Sequence, residues 1–169
     1  MRAEYCERIQ WPLPWDLGAP RPFVVAAEDR LILGYIVGVY HPALSLADVA
    51  ELDLTPGTEL VGLVCFPRCF QHRFGQPYPD FPKNHPLAKV GLDEYQAHIV
   101  RNSAWLAELS DCGGAAPLDL EALQRAQHFI FTFHDEVLEC LSSSPQIWVA
   151  KTSLSHARRW ALVQLDNYE

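Results

Sequence analysis

Uninterrupted runs of apolar residues are the clearest feature of the pattern along this chain. Two such runs, 31–40 and 59–66, are typical of strands that are buried on both faces of a sheet. Apolar residues 23–27 precede the first run across Glu28 and Asp29, which predicts a hairpin. Three further short runs predict a three-stranded antiparallel meander at 127–134, 137–143 and 146–151.

Helices are predicted where a capping residue precedes an apolar pattern. Residues 45–54 begin with a sequence that resembles a capping box, which predicts a short helix. A longer helix is expected over 93–109, because Gln96 follows a capping Asp by three residues. We expect a short helix over 119–126 and a terminal helix over 154–165, although the last residues would also suit an edge strand. The pattern predicts an α+β fold: a mainly antiparallel sheet of about six or seven strands with two to four helices.

The first 22 residues lack this pattern and are rich in proline and tryptophan. Four prolines between Trp11 and Pro22 fix backbone torsions and remove hydrogen-bond donors, which predicts an extended arm over 1–22. The rest of the chain, 23–169, is expected to form a single α+β domain. Trp11 and Trp15 either pack against that domain or are displayed to a partner.

Composition and charge exclude several classes of function. The 169 residues include 21 acidic and 13 basic ones, which gives a formal net charge of -8. Because the basic residues form no cluster, nucleic acid is not an expected partner. The longest apolar run, 31–40, is too short to cross a membrane, which needs about 20 residues. No signal-peptide pattern opens the chain and its five cysteines are odd in number, so we expect a cytoplasmic protein that makes no membrane contact.

The densest group of reactive side chains lies on the predicted hairpin around Asp135. Three alternating phenylalanines, within 129–133, share one face of a strand. A loop of two or four residues keeps that face apolar by setting Phe131 opposite Cys140. Four residues suit the loop better, because Glu136 resists the positive φ of a two-residue turn.

The opposite face of this hairpin is predicted to bring together Thr132, His134 and Glu139. A carboxylate beside an imidazole fixes the tautomer of the imidazole and raises the basicity of the ring, so His134 is a candidate general base. Glu139 or Asp135 would orient it. The structural alternative is that Asp135 caps the turn and Glu139 binds Thr132 or solvent. Residues 128 and 134, both histidines, cannot share a metal, because the strand separates their backbones by roughly 20 Å.

Cys65, Cys69 and His72 carry donor atoms that zinc prefers. A structural zinc site needs a fourth ligand, and Cys112 or His85 would supply it only through a folding arrangement that the sequence does not predict. No metal is therefore favoured. The chain also lacks the common nucleotide-binding, nucleophile-elbow and metalloprotease motifs, so no cofactor is expected.

The predicted longer helix would set His98, Arg101, Asn102 and Trp105 together on its exposed side. An exposed Trp beside Arg and His is typical of a protein-binding surface. Alternatively, Trp105 tucks under the proline-rich loop predicted over 76–86.

Two functional hypotheses of different classes follow, and a third stays open. The first is a small acidic protein-binding module, of interaction or inhibitor type, that captures a basic protein partner by long-range steering. Its candidate contacts are Trp105, Arg101, His98, Trp11 and Trp15. The second is a small-molecule enzyme or ligand binder with a pocket between the meander and the longer helix, and with an acid–base cluster of His134, Asp135 and Glu139. The third is a structural subunit of a larger assembly, such as a homo-oligomer.

Overall fold

The computed structural model of this protein describes residues 3–39, 49–76, 80–111 and 120–166. Within these ranges ten strands form two five-stranded sheets. The prediction of an α+β fold with mainly antiparallel strands is confirmed, but the predicted single sheet of six or seven strands is wrong. Two short strands, Tyr5–Arg8 and Val49–Glu51, carry too few apolar residues to be recognised from the pattern.

The strands are β1 (Tyr5–Arg8), β2 (Phe23–Ala27), β3 (Arg30–Ile36), β4 (Val49–Glu51), β5 (Glu59–Phe66), β6 (Cys69–Gly75), β7 (Ala97–Arg101), β8 (Gln127–Thr132), β9 (Val137–Ser142) and β10 (Gln146–Thr152). The α-helices are α1 (Ala104–Asp111), α2 (Leu120–Gln124) and α3 (Leu154–Asp166), and a 3-10 helix spans Pro86–Val90. None of the helices in the described ranges has the length and apolar composition needed to cross a membrane.

Contacts within the chain group it into two compact units. The first unit comprises Met1–Gln10 and Arg68–Ser144, and the second comprises Trp11–Pro67 and Pro145–Glu169. Each unit contains one of the two sheets. The single domain expected over 23–169 stays a prediction, because compact units of one chain can still fold together.

The second unit is built on the sheet order β2-β3-β5-β10-β4, in which only β10 and β4 are parallel. Helix α3 covers this sheet and buries Ala157 and Ala161 against Phe23, Ile32 and Leu63. The predicted hairpin of β2 and β3 and the predicted terminal helix are therefore confirmed.

The first unit has the sheet order β1-β7-β8-β9-β6, and every pair is antiparallel. One face of the sheet packs Val100, Ile130 and Val137 against Leu87 of the 3-10 helix. This face carries the polar cluster described below. The predicted arm divides between the units, since Tyr5–Arg8 forms an edge strand here and the proline-rich residues from Trp11 onward belong to the second unit.

The longer helix predicted over 93–109 is wrong. Residues 97–101 form β7, the chain turns at Asn102, whose φ is 54°, and α1 begins only at Ala104. The β-branched Ile99 and Val100 favour a strand, and β7 is paired on both sides, with β1 and β8. The expected alignment of His98, Arg101 and Trp105 along one helical face therefore does not form.

Two other predictions are corrected, and one is confirmed. The three-stranded meander is wrong, because β10 pairs with β5 and β4, while β9 pairs with β8 and β6. Of the helix predicted over 45–54, residues 45–48 lie outside the described residues and 49–51 form β4. Helix α2 confirms the short helix expected over 119–126.

Candidate functional site

The register of the β8–β9 hairpin sets the geometry of the site. Thr132 lies opposite Val137, and the N–H of Phe133 donates to the carbonyl of Glu136 at 2.9 Å, which closes a four-residue loop. The predicted parity is correct, but the pairing is displaced by two residues, so that Phe131 faces Leu138 instead of Cys140. This displacement changes which polar side chains become neighbours.

Glu139 lies opposite Ile130, on the face that also carries His128 and Thr132. His128 is thus diagonal to Glu139 across the strand pair, within reach of a long side chain. The prediction that Thr132, His134 and Glu139 gather on this face is only partly right, because His134 lies beyond the last strand pair, in the loop.

The Glu139 carboxylate is held between two buried imidazoles. Its Oε1 lies 3.2 Å from Nε2 of His85, and its Oε2 lies 3.2 Å from Nε2 of His128. Only 6% of Glu139 is exposed, and both histidines are buried. Burial alone would raise the pKa of this carboxyl, but the hydrogen bonds from His128 and His85 outweigh burial and lower the pKa to about 2.

An ionised carboxylate accepts hydrogen bonds and donates none, so Nε2 of each histidine carries a proton. In a neutral imidazole the other nitrogen, Nδ1, is then an acceptor. For His85 the partner of Nδ1 is the backbone N–H of Leu87, at 3.1 Å. This bond also makes His85 the N-cap of the 3-10 helix, so one side chain ends the loop before the helix and holds Glu139.

For His128 the partner of Nδ1 is the hydroxyl of Ser103, at 2.9 Å. Ser103 Oγ also accepts the backbone N–H of Leu106 at 3.1 Å and therefore caps the first turn of α1. The hydroxyl proton is then directed at His128. Ser103, His128 and Glu139 form one hydrogen-bonded chain from hydroxyl to imidazole to carboxylate, which we call the Ser103 relay.

A cleft of about 1180 Å³ opens beside the Ser103 relay, within the first unit. Ser103 and His128 both line it, together with one side of α1 and residues 124–127, which run from the end of α2 to the first residue of β8. Its size is slightly above the range of about 300–1,000 Å³ that is usual for small-molecule sites.

Trp105 holds the His128 ring from the side. The two rings meet edge to face with centroids 5.2 Å apart. The indole N–H of Trp105 donates to Oε1 of Gln71 at 2.6 Å, and the guanidinium of Arg73 lies 4.1 Å from the ring centroid. Trp105 is thus tied to β6 by one hydrogen bond and one cation–π contact, and it limits rotation of the imidazole.

His134 and Asp135, two of the three predicted acid–base residues, lie in the exposed hairpin loop. Nδ1 of His134 lies 2.9 Å from Oδ1 of Asp135, and both side chains are more than half exposed. The His134 ring also meets Tyr95 edge to face at 6.1 Å. The predicted His134–Asp135 pair therefore exists, while Glu139 is paired with other histidines.

The residues predicted to bind a partner are dispersed. His98 is fully buried, and its Nε2 accepts the backbone N–H of Asp93 at 3.3 Å. Burial lowers the pKa of this imidazole. Arg101 forms an ion pair with Glu7 on the neighbouring strand.

The two tryptophans of the proline-rich segment contact Tyr35 in the second unit. The indole N–H of Trp11 donates to the Tyr35 hydroxyl at 2.7 Å, and the partly buried Trp11 ring is held there. Trp15 is buried and meets the Tyr35 ring edge to face at 5.6 Å. These contacts correspond to the alternative in which Trp11 and Trp15 pack within the chain and are not displayed to a partner.

The three residues considered for zinc do not all lie in one strand. Cys65 lies in β5 of the second unit, whereas Cys69 and His72 lie in β6 of the first. Burial raises the pKa of the Cys65 thiol, which opposes the thiolate that zinc requires. Cys112 lies outside the described residues, and within the described part of the chain no three His, Cys, Asp or Glu side chains are arranged to hold a metal ion.

Sequence reasoning missed three members of the site: Ser103, His128 and His85. Ser103 was hidden inside the wrongly predicted helix, and His128 would have been found with the correct hairpin register. His85 reaches the site through the fold of residues 80–91, for which the sequence carries no local signal. The chain matches no known protein family, no curated protein and no solved structure.

Proposed function

We propose that this protein is a small-molecule enzyme or ligand binder whose site is the cleft beside the Ser103 relay. One observation carries the proposal: a hydroxyl, an imidazole and a buried carboxylate are hydrogen-bonded in sequence, and the first two line an open cleft. Titratable groups that converge at a cleft are the usual mark of a binding or catalytic site.

The charge of Glu139 supports an acid–base role for this relay. A carboxylate that is ionised at every physiological pH stabilises an imidazolium beside it, so His128 is able to take up a proton from a group in the cleft. The second donor, His85, keeps the carboxylate ionised in spite of its burial. The acid–base cluster we propose is thus built on Glu139, with His128 in the role first considered for His134.

A protein-binding surface has weaker support. That hypothesis expects Trp11, Trp15 or Trp105 to stand exposed beside carboxylates, whereas Trp15 is buried and the other two are partly buried and hydrogen-bonded to Tyr35 and Gln71. The odd number of cysteines supports a cytoplasmic location for the proposed enzyme or binder.

The test is a pair of tryptophan substitutions on α1. Ala107 lines the cleft one helical turn after Ser103, so the indole of Ala107→Trp would cover the hydroxyl. Glu108 is the next residue on the same helix, is exposed and does not line the cleft, which makes Glu108→Trp the matched control.

The probe is 8-anilinonaphthalene-1-sulfonate, which fluoresces when it enters an apolar cleft. We expect saturable binding to the native protein, affinity at least about tenfold weaker for Ala107→Trp, and native affinity for Glu108→Trp, with folding of each checked by circular dichroism. Absence of binding to the native protein, or equal binding to both variants, contradicts the proposal.

A further inference from the structure

We propose that Ser103 is a nucleophile that transfers the acyl group of carboxylic esters bound in the cleft, with His128 as its general base. This inference rests on the proposed function, since it names the reaction and the substrate class of the same site. It goes beyond ligand binding because it assigns a covalent step to one oxygen atom.

The hydrogen-bond inventory of Ser103 Oγ is the first support. A hydroxyl has one proton and two lone pairs. The proton is directed at Nδ1 of His128, and the N–H of Leu106 takes one lone pair. The second lone pair remains for attack on an acyl carbon. A serine hydroxyl bonded to an imidazole that is itself held by a carboxylate is the arrangement that activates serine in unrelated folds.

The backbone position of Ser103 is the second support. Ser103 stands between the end of β7 at Arg101 and the start of α1 at Ala104, and its neighbour Asn102 has a φ of 54°. Ser103 lines the cleft at this sharp strand-to-helix turn, and its Oγ faces the imidazole of His128 on β8. The positive end of the helix dipole also favours negative charge at this oxygen.

Glu139 acts through His128 and is a positioning residue. Its Oε2 fixes the proton on Nε2, which leaves Nδ1 as the base that faces Ser103. Trp105 packs against the edge of the same imidazole. His85 binds the other carboxylate oxygen and prevents Glu139 from turning away.

The reaction balances with water as the only co-reactant. Ser103 Oγ bonds to the acyl carbon of the ester while its proton moves to Nδ1 of His128. The bond from the acyl carbon to the alcohol oxygen breaks, and the alcohol leaves with that proton. Water then attacks the acyl-Ser103, His128 takes one proton from the water and returns it to Oγ, and a carboxylic acid is released.

The cleft wall favours an apolar acyl group. Three small residues, Ala104, Ala107 and Ala126, leave space beside Ser103, and Leu106 and Ile99 add apolar surface. The lining also contains Arg101 and Arg125, and each of these is paired with a glutamate. A short aliphatic chain fits this surface by removing apolar area from water. We therefore expect esters of aliphatic acids to be better substrates than esters of charged acids.

The second unit supplies a matched control for the chemistry. Ser153 Oγ lies 2.8 Å from Nδ1 of His156 and accepts the backbone N–H of His156 at 3.3 Å, before the start of α3. This serine repeats the hydroxyl–imidazole contact and the position at a helix start, but in the described ranges of the chain no carboxylate is paired with His156. Activation by the complete relay predicts reaction at Ser103 and none at Ser153.

The experiment treats the full chain with a fluorophosphonate, which bonds to an activated serine and releases fluoride, and locates the adduct by peptide mass spectrometry. We expect the adduct on Ser103 in the native protein and in Ser153→Asn. Ser103→Asn should not react. Its amide accepts the Leu106 N–H and donates to His128, so it keeps the helix cap while removing the nucleophile.

Hydrolysis of p-nitrophenyl butyrate gives the kinetic readout. Ser103→Asn should lower kcat/KM by about 10³-fold or more, and Ser153→Asn should leave it unchanged. Glu139→Gln should lower kcat by about 10²- to 10⁴-fold with KM unchanged, because a positioning residue affects the proton transfer and not ester binding. A merely structural role would change the amount of folded protein without this division between kcat and KM.

The outcomes separate the two proposals. If the native protein binds the anilinonaphthalene probe in the cleft but neither reacts at Ser103 nor hydrolyses the ester, acyl transfer is overturned and the binding site stands. If the probe does not bind, the proposed function fails as well. Equal reaction at Ser103 and Ser153 also overturns the role of the relay, since it would indicate ordinary surface serines.

Discussion

His128 donates a hydrogen bond to Glu139 across the β8–β9 hairpin, although the two residues are eleven positions apart in the chain. The pair is diagonal and not directly opposite, since Glu139 faces Ile130 and His128 faces Leu141. This diagonal contact connects the centre of the sheet to the cleft through Ser103. The stability of the sheet and the chemistry that we propose for the cleft therefore involve the same carboxylate.

Replacement of Glu139 separates its charge from its volume. Glu139→Ala leaves two buried imidazoles without their acceptor and opens a cavity, so we expect the free energy of unfolding to fall by about 3–5 kcal/mol. Glu139→Gln keeps the volume and one acceptor oxygen and should cost less. Urea unfolding followed by circular dichroism measures both values. Equal losses of stability for the two variants would contradict this prediction, because they would show that the side-chain volume and the acceptor oxygen retained by Gln do not stabilise the fold.

Acid should remove the contribution of the Glu139 charge. The pKa of this carboxyl is about 2 in the folded protein, below its ordinary value of 4.5, so the folded state favours the ionised form. A lowered pKa contributes stability that is fully present above pH 4.5 and is lost as the pH falls toward 2. The shift corresponds to about 3 kcal/mol.

The control for this pH dependence is Glu139→Gln, which does not titrate at this position. The stability difference between the native protein and Glu139→Gln should therefore shrink by about 3 kcal/mol between neutral pH and pH 2. Urea titrations at a series of pH values measure it. A difference that stays constant with pH would show that Glu139 carries no perturbed pKa.

The alternation of the three phenylalanines was enough to predict which face of the β8–β9 hairpin is apolar. Phe129 and Phe131 are buried, and their rings are stacked. Alternate residues of a strand lie on the same face, so burying one of these phenylalanines on a face places the others there as well. The sequence does not determine which residues of β8 and β9 are paired, because a register shift of two residues leaves every side chain on the same face of the sheet. The predicted partner of Glu139 depended on that shift, and His134 was chosen in place of His128.

The other errors have a related physical origin. The capping pattern at Asp93 is a local signal, but pairing of β7 with strands on both sides overrides it. Which strands become neighbours is decided by contacts between residues far apart in the chain, as for β10 with β5. Glu139 is predictable as a candidate from its residue type and its face of the hairpin, whereas His85 is 54 positions away from it and reaches it only in the folded chain.

Substitution of His85 should raise the pKa of Glu139 while leaving the 3-10 helix capped. In His85→Asn the shorter side chain still accepts the N–H of Leu87 but does not reach Glu139, so the carboxylate loses one of its two donors. We expect the pKa to rise from about 2 and the stability to fall by about 1.5–3 kcal/mol, the usual value for a hydrogen bond to a charged group. Carbon-13 NMR of the Glu139 carboxyl measures the titration directly.

The control for His85→Asn is Lys83→Ala, an exposed substitution in the same loop. It should leave the Glu139 titration unchanged. A rise in the pKa for both variants would indicate that the loop as a whole, and not the His85 imidazole, stabilises the carboxylate.

Gly34 and Phe23 provide a test of packing in the second unit. The two residues are paired between β3 and β2, and a Cβ on Gly34 would lie 2.2 Å from Cζ of the Phe23 ring. Gly34→Ala should therefore lower the free energy of unfolding by about 1–3 kcal/mol. Phe23→Leu removes the ring, so the double variant should be more stable than the sum of the single losses predicts. Additive losses in urea unfolding would contradict this direct contact.

The same substitution tests the predicted single domain over 23–169. If both units unfold together, Gly34→Ala should speed hydrogen exchange at the amide of Phe129 in β8 as much as at the amide of Ile32 in β3, because cooperative opening exposes both sheets at once. Independent unfolding would confine the change to Ile32. Exchange measured by NMR under native conditions distinguishes these outcomes, since each amide reports the free energy of the opening that exposes it.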